Sequence, residues 1–190
     1  MARVVILGAG VSGHTAAAFL RKWLGKNDSV TVISPLPTYN WIPSNIWVGV
    51  GLMRKEQVVI PLAPVYRKAG IEFKQARAVA LYPEGTEERA LPFVEIEWTE
   101  EGKAGQRERV LYDYLINATG PKLNFGATEG LGPGKNSLSV CTPGHAEETS
   151  RAFLELVERM KRGEHKRFVI GTGHGTCTCC LLYTSPSPRD

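Results

Sequence analysis

Two sets of residues have the types and spacing to do chemistry. The first is Gly8, Gly10 and Gly13, the glycines of a G-x-G-x-x-G pattern inside RVVILGAGVSG. The second is the thiols of Cys141, Cys177 and Cys179. In the first set Gly8 allows a tight turn, Gly10 lets backbone amides approach a pyrophosphate, and Gly13 lets a helix pack closely on a strand. The pyrophosphate then lies at the helix N-terminus, where unpaired N–H groups and the helix dipole favour an anion. The pattern alone is weak evidence. Here it directly follows an apolar run, residues 4–7 (VVIL), and opens a small-residue helical stretch, residues 12–24, which makes it a dinucleotide site rather than a purely structural turn.

The thiols are placed as reactive groups would be. Cys141 precedes a helix start, with Thr142 as N-cap and Pro143 at the first helical position. A helix N-terminus favours a thiolate there, and His145 one turn on adds to this when protonated. Cys177 and Cys179 follow a glycine-rich turn after a strand, where the next helix would begin. With no export signal to be seen, reduced thiols rather than a structural disulfide are expected, and two thiols at the mouths of neighbouring units suit a redox pair. The alternatives are small buried cysteines acting as hydrophobes, or a zinc site from Cys141, His174, Cys177 and Cys179. The C-x-C spacing is tighter than the usual ligand pair, so no metal is expected.

The elements that must hold these groups follow from composition and pattern. The chain has 190 residues, 43% apolar and 22% charged, with a net charge of +4. Basic and acidic residues are interspersed, which excludes the basic stripe of a nucleic-acid binder. No segment approaches the roughly 20 apolar residues of a membrane span, and no signal peptide precedes the first strand, so a cytoplasmic location is expected. Residues 30–33 (VTVI) make a second parallel strand. Ser34 then stands where NAD-binding units carry an acid, and Pro35 follows, which argues against a plain NAD site. Residues 35–51 form an aromatic loop with neither helical nor strand period, whose Tyr39, Trp41 and Trp47 cover a flat ring or plug the domain edge. A short helix is predicted over 61–68, strands over 71–73 and 78–82, and a meander hairpin over 93–98 and 107–111. Another buried strand over 114–118 ends in Ala118-Thr119-Gly120-Pro121, putting backbone amides at the mouth of the sheet.

A helix from residue 143 to about 162 places Phe153, Leu156, Val157 and Met160 on one buried face. A strand over 168–170 and a glycine turn over 171–175 begin a second dinucleotide-type unit. Residues 180–190, CLLYTSPSPRD, change character abruptly, with proline and serine where a buried helix should follow. That run resembles the conceptual translation of a transposase adapter used in preparing sequencing libraries, so it is set apart from the fold. The fold class is α/β: a Rossmann-like domain with an inserted β-meander over 1–122, a linker over 123–138 and the start of a second Rossmann-like domain over 139–179. The chain reads as the truncated N-terminal part of a longer protein.

Five stretches, in order, resemble the sulfide:quinone oxidoreductases among the two-dinucleotide-binding-domain flavoproteins: VVILGAGVSG, ISP, YNWIPSNIWVGVG, YDYLINATGPKL and SVCTPGHAE. The Pro-Ser-Asn run followed by Trp-Val-Gly-Val-Gly discriminates best, and the resemblance covers residues 2–179. It implies FAD as cofactor. The pyrophosphate would lie on the turn from Gly8 through Ala9, Gly10, Val11 and Ser12 to Gly13. Ser34 and Pro35 would lie at the ribose, Ala78 by the adenine, and Pro43, Ser44, Asn45, Ala118, Thr119 and Gly120 toward the flavin. Cys141 would be one redox cysteine, and Cys179 the other in preference to Cys177. The implied reaction oxidises sulfide to polysulfide or sulfur and passes electrons to quinone. The protein would be peripheral on the cytoplasmic membrane through parts beyond this chain, and a homo-oligomer is compatible with the pattern. A type II NADH:quinone oxidoreductase and a non-catalytic FAD-binding or redox-sensing module are the alternatives. The 190-residue chain alone is expected to be inactive.

Overall fold

The computed structural model describes residues 1–87 and 90–171. In chain order the elements are β1 (Arg3–Leu7), α1 (Val11–Trp23), β2 (Ser29–Ser34), β3 (Thr38–Asn40), α2 (Asn45–Gly49), β4 (Val59–Pro61), α3 (Leu62–Ala69), β5 (Glu72–Tyr82), β6 (Phe93–Trp98), β7 (Arg107–Leu111), β8 (Tyr114–Asn117) and α4 (Pro143–Lys161). Single 3-10 turns lie at Ile42–Ser44 and Lys55–Gln57. The chain divides into two units, Met1–Trp41 with Val59–Pro121, and Ile42–Val58 with the residues from Lys122 on.

The first unit is a six-stranded sheet in the order β7-β6-β5-β2-β1-β8, with a separate β3-β4 hairpin. The strands from β5 to β8 in that order are parallel, whereas β5, β6 and β7 pair antiparallel. Near-continuous burial of β1 and β2 is what central parallel strands require, since both faces are covered. On one face Val4, Ile6, Val30 and Val32 pack with Ala17 of α1 and with Leu62 and Tyr66 of α3. On the other, Val5, Leu7 and Ile33 pack with Ala76, Val94, Ile96 and Val110. Where β1 meets β8, the Arg3 guanidinium and backbone N–H both donate to Asp113, holding that carboxyl down to about 2.

Two expectations for this unit change. The two strands expected over 71–73 and 78–82 are one, β5 from Glu72 to Tyr82, because the polar stretch between them is accommodated: Lys74 pairs with Glu72 at 3.1 Å and Glu108 at 2.9 Å. A β-bulge between Ala78 and Ala80 lets the strand change partners. The aromatic run over 35–51 is also more regular than its sequence suggests. Its first part is β3, which finds its partner β4 about twenty residues later, a pairing that local periodicity cannot reveal.

In the second unit α2 packs on α4. Gly51 abuts Leu154, and Lys55 pairs with Glu147 at 3.0 Å. Thr142 caps α4 by accepting the His145 N–H at 3.2 Å, Pro143 sits in the first turn, and Gly163 follows the helix at φ +89°. The expected buried face is not formed. Phe153, Leu156 and Val157 are half-buried and Met160 is 41% exposed, because α2 is only five residues long and cannot cover a nineteen-residue helix. The strand expected over 168–170 is also absent. Val169 and Ile170 are 91% and 87% exposed, with no strand among the described residues to complete a ladder.

Candidate functional site

Parallel register sets out the dinucleotide end of the first unit. Leu7 is level with Ile33 on β2 and with Asn117 on β8, so Gly8 and Ala118 leave the sheet together at its C-terminal edge, beside Ser34 at the end of β2. Ligands of open α/β sheets bind at such an edge. The Gly8 N–H donates to the Ile33 carbonyl and the Ala118 N–H to the Leu7 carbonyl, each at 2.8 Å. Two of the three motif glycines are required by the protein itself. A side chain on Gly8, whose φ is +98°, would strike the Ala118 carbonyl, and one on Gly13 would strike the Gly8 carbonyl. Gly10 differs: among the described residues, none beyond its chain neighbours comes within 4 Å of where its Cβ would stand, and its φ of −73° suits any residue.

Gly10 is also the N-cap of α1, with no side-chain cap and no acid in the first turn. The first amides of a helix lack intrahelical acceptors and carry the positive end of its dipole. Ala9 is buried beneath the turn, while Val11 and Ser12 are exposed. The space beside Gly10 therefore suits the backbone approach of an anionic ligand.

Around this turn the remaining candidates occupy defined places. Ser34 is buried, and its hydroxyl closes a local turn, donating to the Leu36 carbonyl at 3.3 Å and accepting the Leu36 N–H at 3.4 Å. The exposed Pro35 accepts the Thr99 hydroxyl on its carbonyl at 2.9 Å. Ala78 is half-buried at the bulge, level with Ile96. Thr119 turns both its N–H (3.3 Å) and its hydroxyl (2.8 Å) to Asn117 Oδ1, and Gly120 follows at φ +72° with open space beside it. Sequence reasoning missed Asn117, although an Asn two residues before a turn N–H is the signature of an Asx-turn. It also missed His14. The His14 Nδ1 lies 3.2 Å from the Tyr66 hydroxyl, with the Tyr39 ring at 5.1 Å. Burial lowers the His14 pKa and, with Tyr39 adding, pushes the Tyr66 hydroxyl up to about 12. Tyr39 is thus an internal packing residue, whereas Trp41 and Trp47 are both about half exposed.

In the second unit Pro43 and Ser44 form a 3-10 turn, and Asn45, fully buried, opens α2. Cys141 is exposed and donates its N–H to Ser139 Oγ at 3.1 Å, just before the Thr142 cap. The His145 ring stands edge-on to Phe125 at 5.4 Å, its Nδ1 shielded from solvent with no partner among the described residues. Cys177, Cys179 and His174 lie outside the described residues. Among those described, no cluster of metal-ligating side chains occurs and no helix is long and apolar enough to cross a membrane.

The model of the pyridine nucleotide-disulphide oxidoreductase family matches residues 2–185. The chain belongs to this family. It is 36% identical over 153 residues to the sulfide-quinone reductase of Aquifex aeolicus, covering 80% of this chain and 31% of that protein. It is 30% identical over 132 residues to an external alternative NAD(P)H-ubiquinone oxidoreductase of Arabidopsis thaliana, covering 68% of this chain and 21% of that one. Among solved structures, the A. aeolicus sulfide:quinone oxidoreductase matches with a TM-score of 0.67 and 33% identity over 83% of this chain and 33% of that one. The chain thus spans a third or less of these relatives' lengths.

The family consists of FAD-binding dinucleotide oxidoreductases. The residues present fit that cofactor on an internal criterion: no described protein atom requires position 10 to be glycine, whereas a pyrophosphate approaching the α1 amides would. Gly8 to Gly13 would hold the pyrophosphate, and the Ala118–Gly120 turn would border the adjoining group.

Proposed function

We propose that the full-length protein is an FAD-dependent oxidoreductase that oxidises sulfide to polysulfide or sulfur and delivers the electrons to quinone. The observation that carries this reading is Cys141, an exposed thiol at the capped N-terminus of a nineteen-residue helix, in a chain whose glycine turn fits FAD. Its likeness to the A. aeolicus sulfide-quinone reductase supports the choice of substrate.

The chemistry supplied by bound FAD is two-electron acceptance and release. The chain's own residues do the rest. The α1 amides around Gly10 bind and orient the pyrophosphate. Thr142 and Pro143 fix the start of α4 and hold Cys141 exposed just before it. In the oxidised pair, hydrosulfide attacks one sulfur of a Cys141–Cys179 disulfide. The S–S bond breaks, the attacked cysteine carries a persulfide, and its partner leaves as thiolate. Cys179 is preferred over Cys177 as that partner. Because quinones are lipid-soluble, the protein would work at the cytoplasmic membrane surface, through parts lying beyond this chain.

The test is anaerobic reduction of the FAD-loaded full-length protein by sulfide, followed by flavin absorbance. Cys141→Ser is expected to abolish sulfide-driven reduction while leaving flavin content unchanged. Undiminished reduction in that variant overturns the reading. The Arabidopsis relative favours a second reading, an NADH:quinone oxidoreductase, and rapid bleaching by NADH alone would establish it instead. The 190-residue chain by itself is expected not to bind FAD stoichiometrically, since β8 is a sheet edge and Trp23 on α1 is 74% exposed.

A further inference from the structure

Gly49 closes α2 with no positive φ, so its backbone does not call for glycine. Its surroundings do. A Cβ at Gly49 would stand 2.7 Å from Val140 Cγ1 and 3.7 Å from Thr149 Cγ2. Real Cβ atoms do not approach a neighbour so closely, and here the neighbour is a short branched side chain with little freedom to retreat. Val140 therefore occupies the notch left by the missing side chain, and it immediately precedes Cys141.

Thr149 of α4 serves the same stretch twice. Its methyl borders the notch, and its hydroxyl donates to the Ser139 carbonyl at 2.8 Å. Ser139 Oγ in turn accepts the Cys141 N–H, and Thr142 caps α4 through the His145 N–H. Residues 139–142 are thus held one after another: a carbonyl by Thr149, a side chain by the Gly49 notch, an N–H by Ser139 and a cap by Thr142. Val140 is half-buried and Cys141 exposed, so seating the first governs how the second is presented.

We propose that Gly49 is a positioning residue for the Cys141 thiol, acting by leaving the notch that seats Val140. Its bearing on turnover rests on Cys141 being a redox thiol, as proposed above, whereas the positioning itself is read without turnover. The experiment measures alkylation of Cys141 by iodoacetamide, resolved from the other thiols by mass spectrometry, in the reduced full-length protein and in its Gly49→Ala, Val140→Ala and double variants. Replacing a helical glycine by alanine is ordinarily neutral or favourable, so an effect confined to α2 leaves the Cys141 rate unchanged.

Gly49→Ala is expected to shift that rate by about fivefold or more, the low end of what overpacking produces. The double variant is expected to return to within about twofold of the parent, because Val140→Ala removes the methyl that the added Cβ strikes. An unchanged rate in Gly49→Ala overturns the assignment. So does a double variant as far from the parent as Gly49→Ala, which is the outcome if the substitution merely loosens the unit, since losing the Val140 side chain would loosen it further. Sulfide oxidation persisting in full-length Cys141→Ser would instead overturn the proposed activity and leave the positioning intact.

Discussion

The two units of this chain bury their elements in opposite ways. In the first, four consecutive residues of β1 and five of β2 are buried, and each strand has neighbours on both sides. In the second, a helix of nineteen residues has a single fully buried residue, Ala146. The first unit is held by continuous apolar surface. The second is held by local fits: Val140 against Gly49, Leu154 against Gly51, and Lys55 paired with Glu147. The teaching is that glycine has two kinds of work here. Gly8, Gly13 and Gly49 are demanded by protein atoms, whereas no described protein atom demands Gly10.

The largest effect that would sharpen this contrast is expected at the nucleotide turn. Gly8→Ala combines a strained backbone with a clash on the Ala118 carbonyl, and should destabilise the first unit by roughly 3–5 kcal/mol in denaturant unfolding. Gly10→Ala should cost at most about 1 kcal/mol, the N-cap preference for glycine over alanine, yet weaken FAD binding by the full-length protein by about tenfold or more. Equal stability losses in the two variants would break the distinction. Next, Thr142→Ala should cost about 1 kcal/mol and reduce helical signal from the second unit alone. Parallel loss in both units would mean that they do not bury their elements independently.

The smallest expected effect concerns pH. Burial lowers the His14 pKa below its ordinary 6.5, so the folded state binds fewer protons than the unfolded chain between the two values. Stability contributed by the neutral ring is therefore complete above the unfolded pKa and declines as pH falls through about 6.5 and below. His14→Gln should flatten the thermal stability profile of the first unit over about pH 5 to 7. An identical slope in parent and variant would remove His14 from that dependence.

How much of this was legible in the sequence differs by unit for a physical reason. The apolar runs of β1 and β2 and the small-residue start of α1 each carry their own signal, because central strands are buried all along. Both ends of α4 were legible from Thr142, Pro143 and Gly163, since caps are local chemistry. Its buried face was not, because its partner α2 lies about a hundred residues earlier and meets it through glycine notches rather than an apolar stripe. Phe168, Val169 and Ile170 carry strand propensity, but propensity alone does not make a ladder. In the candidate site, the tight turn at Gly8 and Gly13 and the place of Cys141 before the α4 cap were legible from local sequence. Asn117 and His14 did not, since each acts through a partner that only the fold brings near.

The pairing of β1 with β8 has a consequence for how the chain must assemble. Arg3 and Asp113 are separated by 110 positions, and the turn at Gly8 is walled by Ala118. Closing so long a loop is entropically slow and comes after local hairpins have formed. The glycine motif can therefore be completed only after a segment about 110 positions later has been made. Until Ala118 has left the ribosome, Gly8 turns against nothing, and the nascent chain carries a cradle with one side missing.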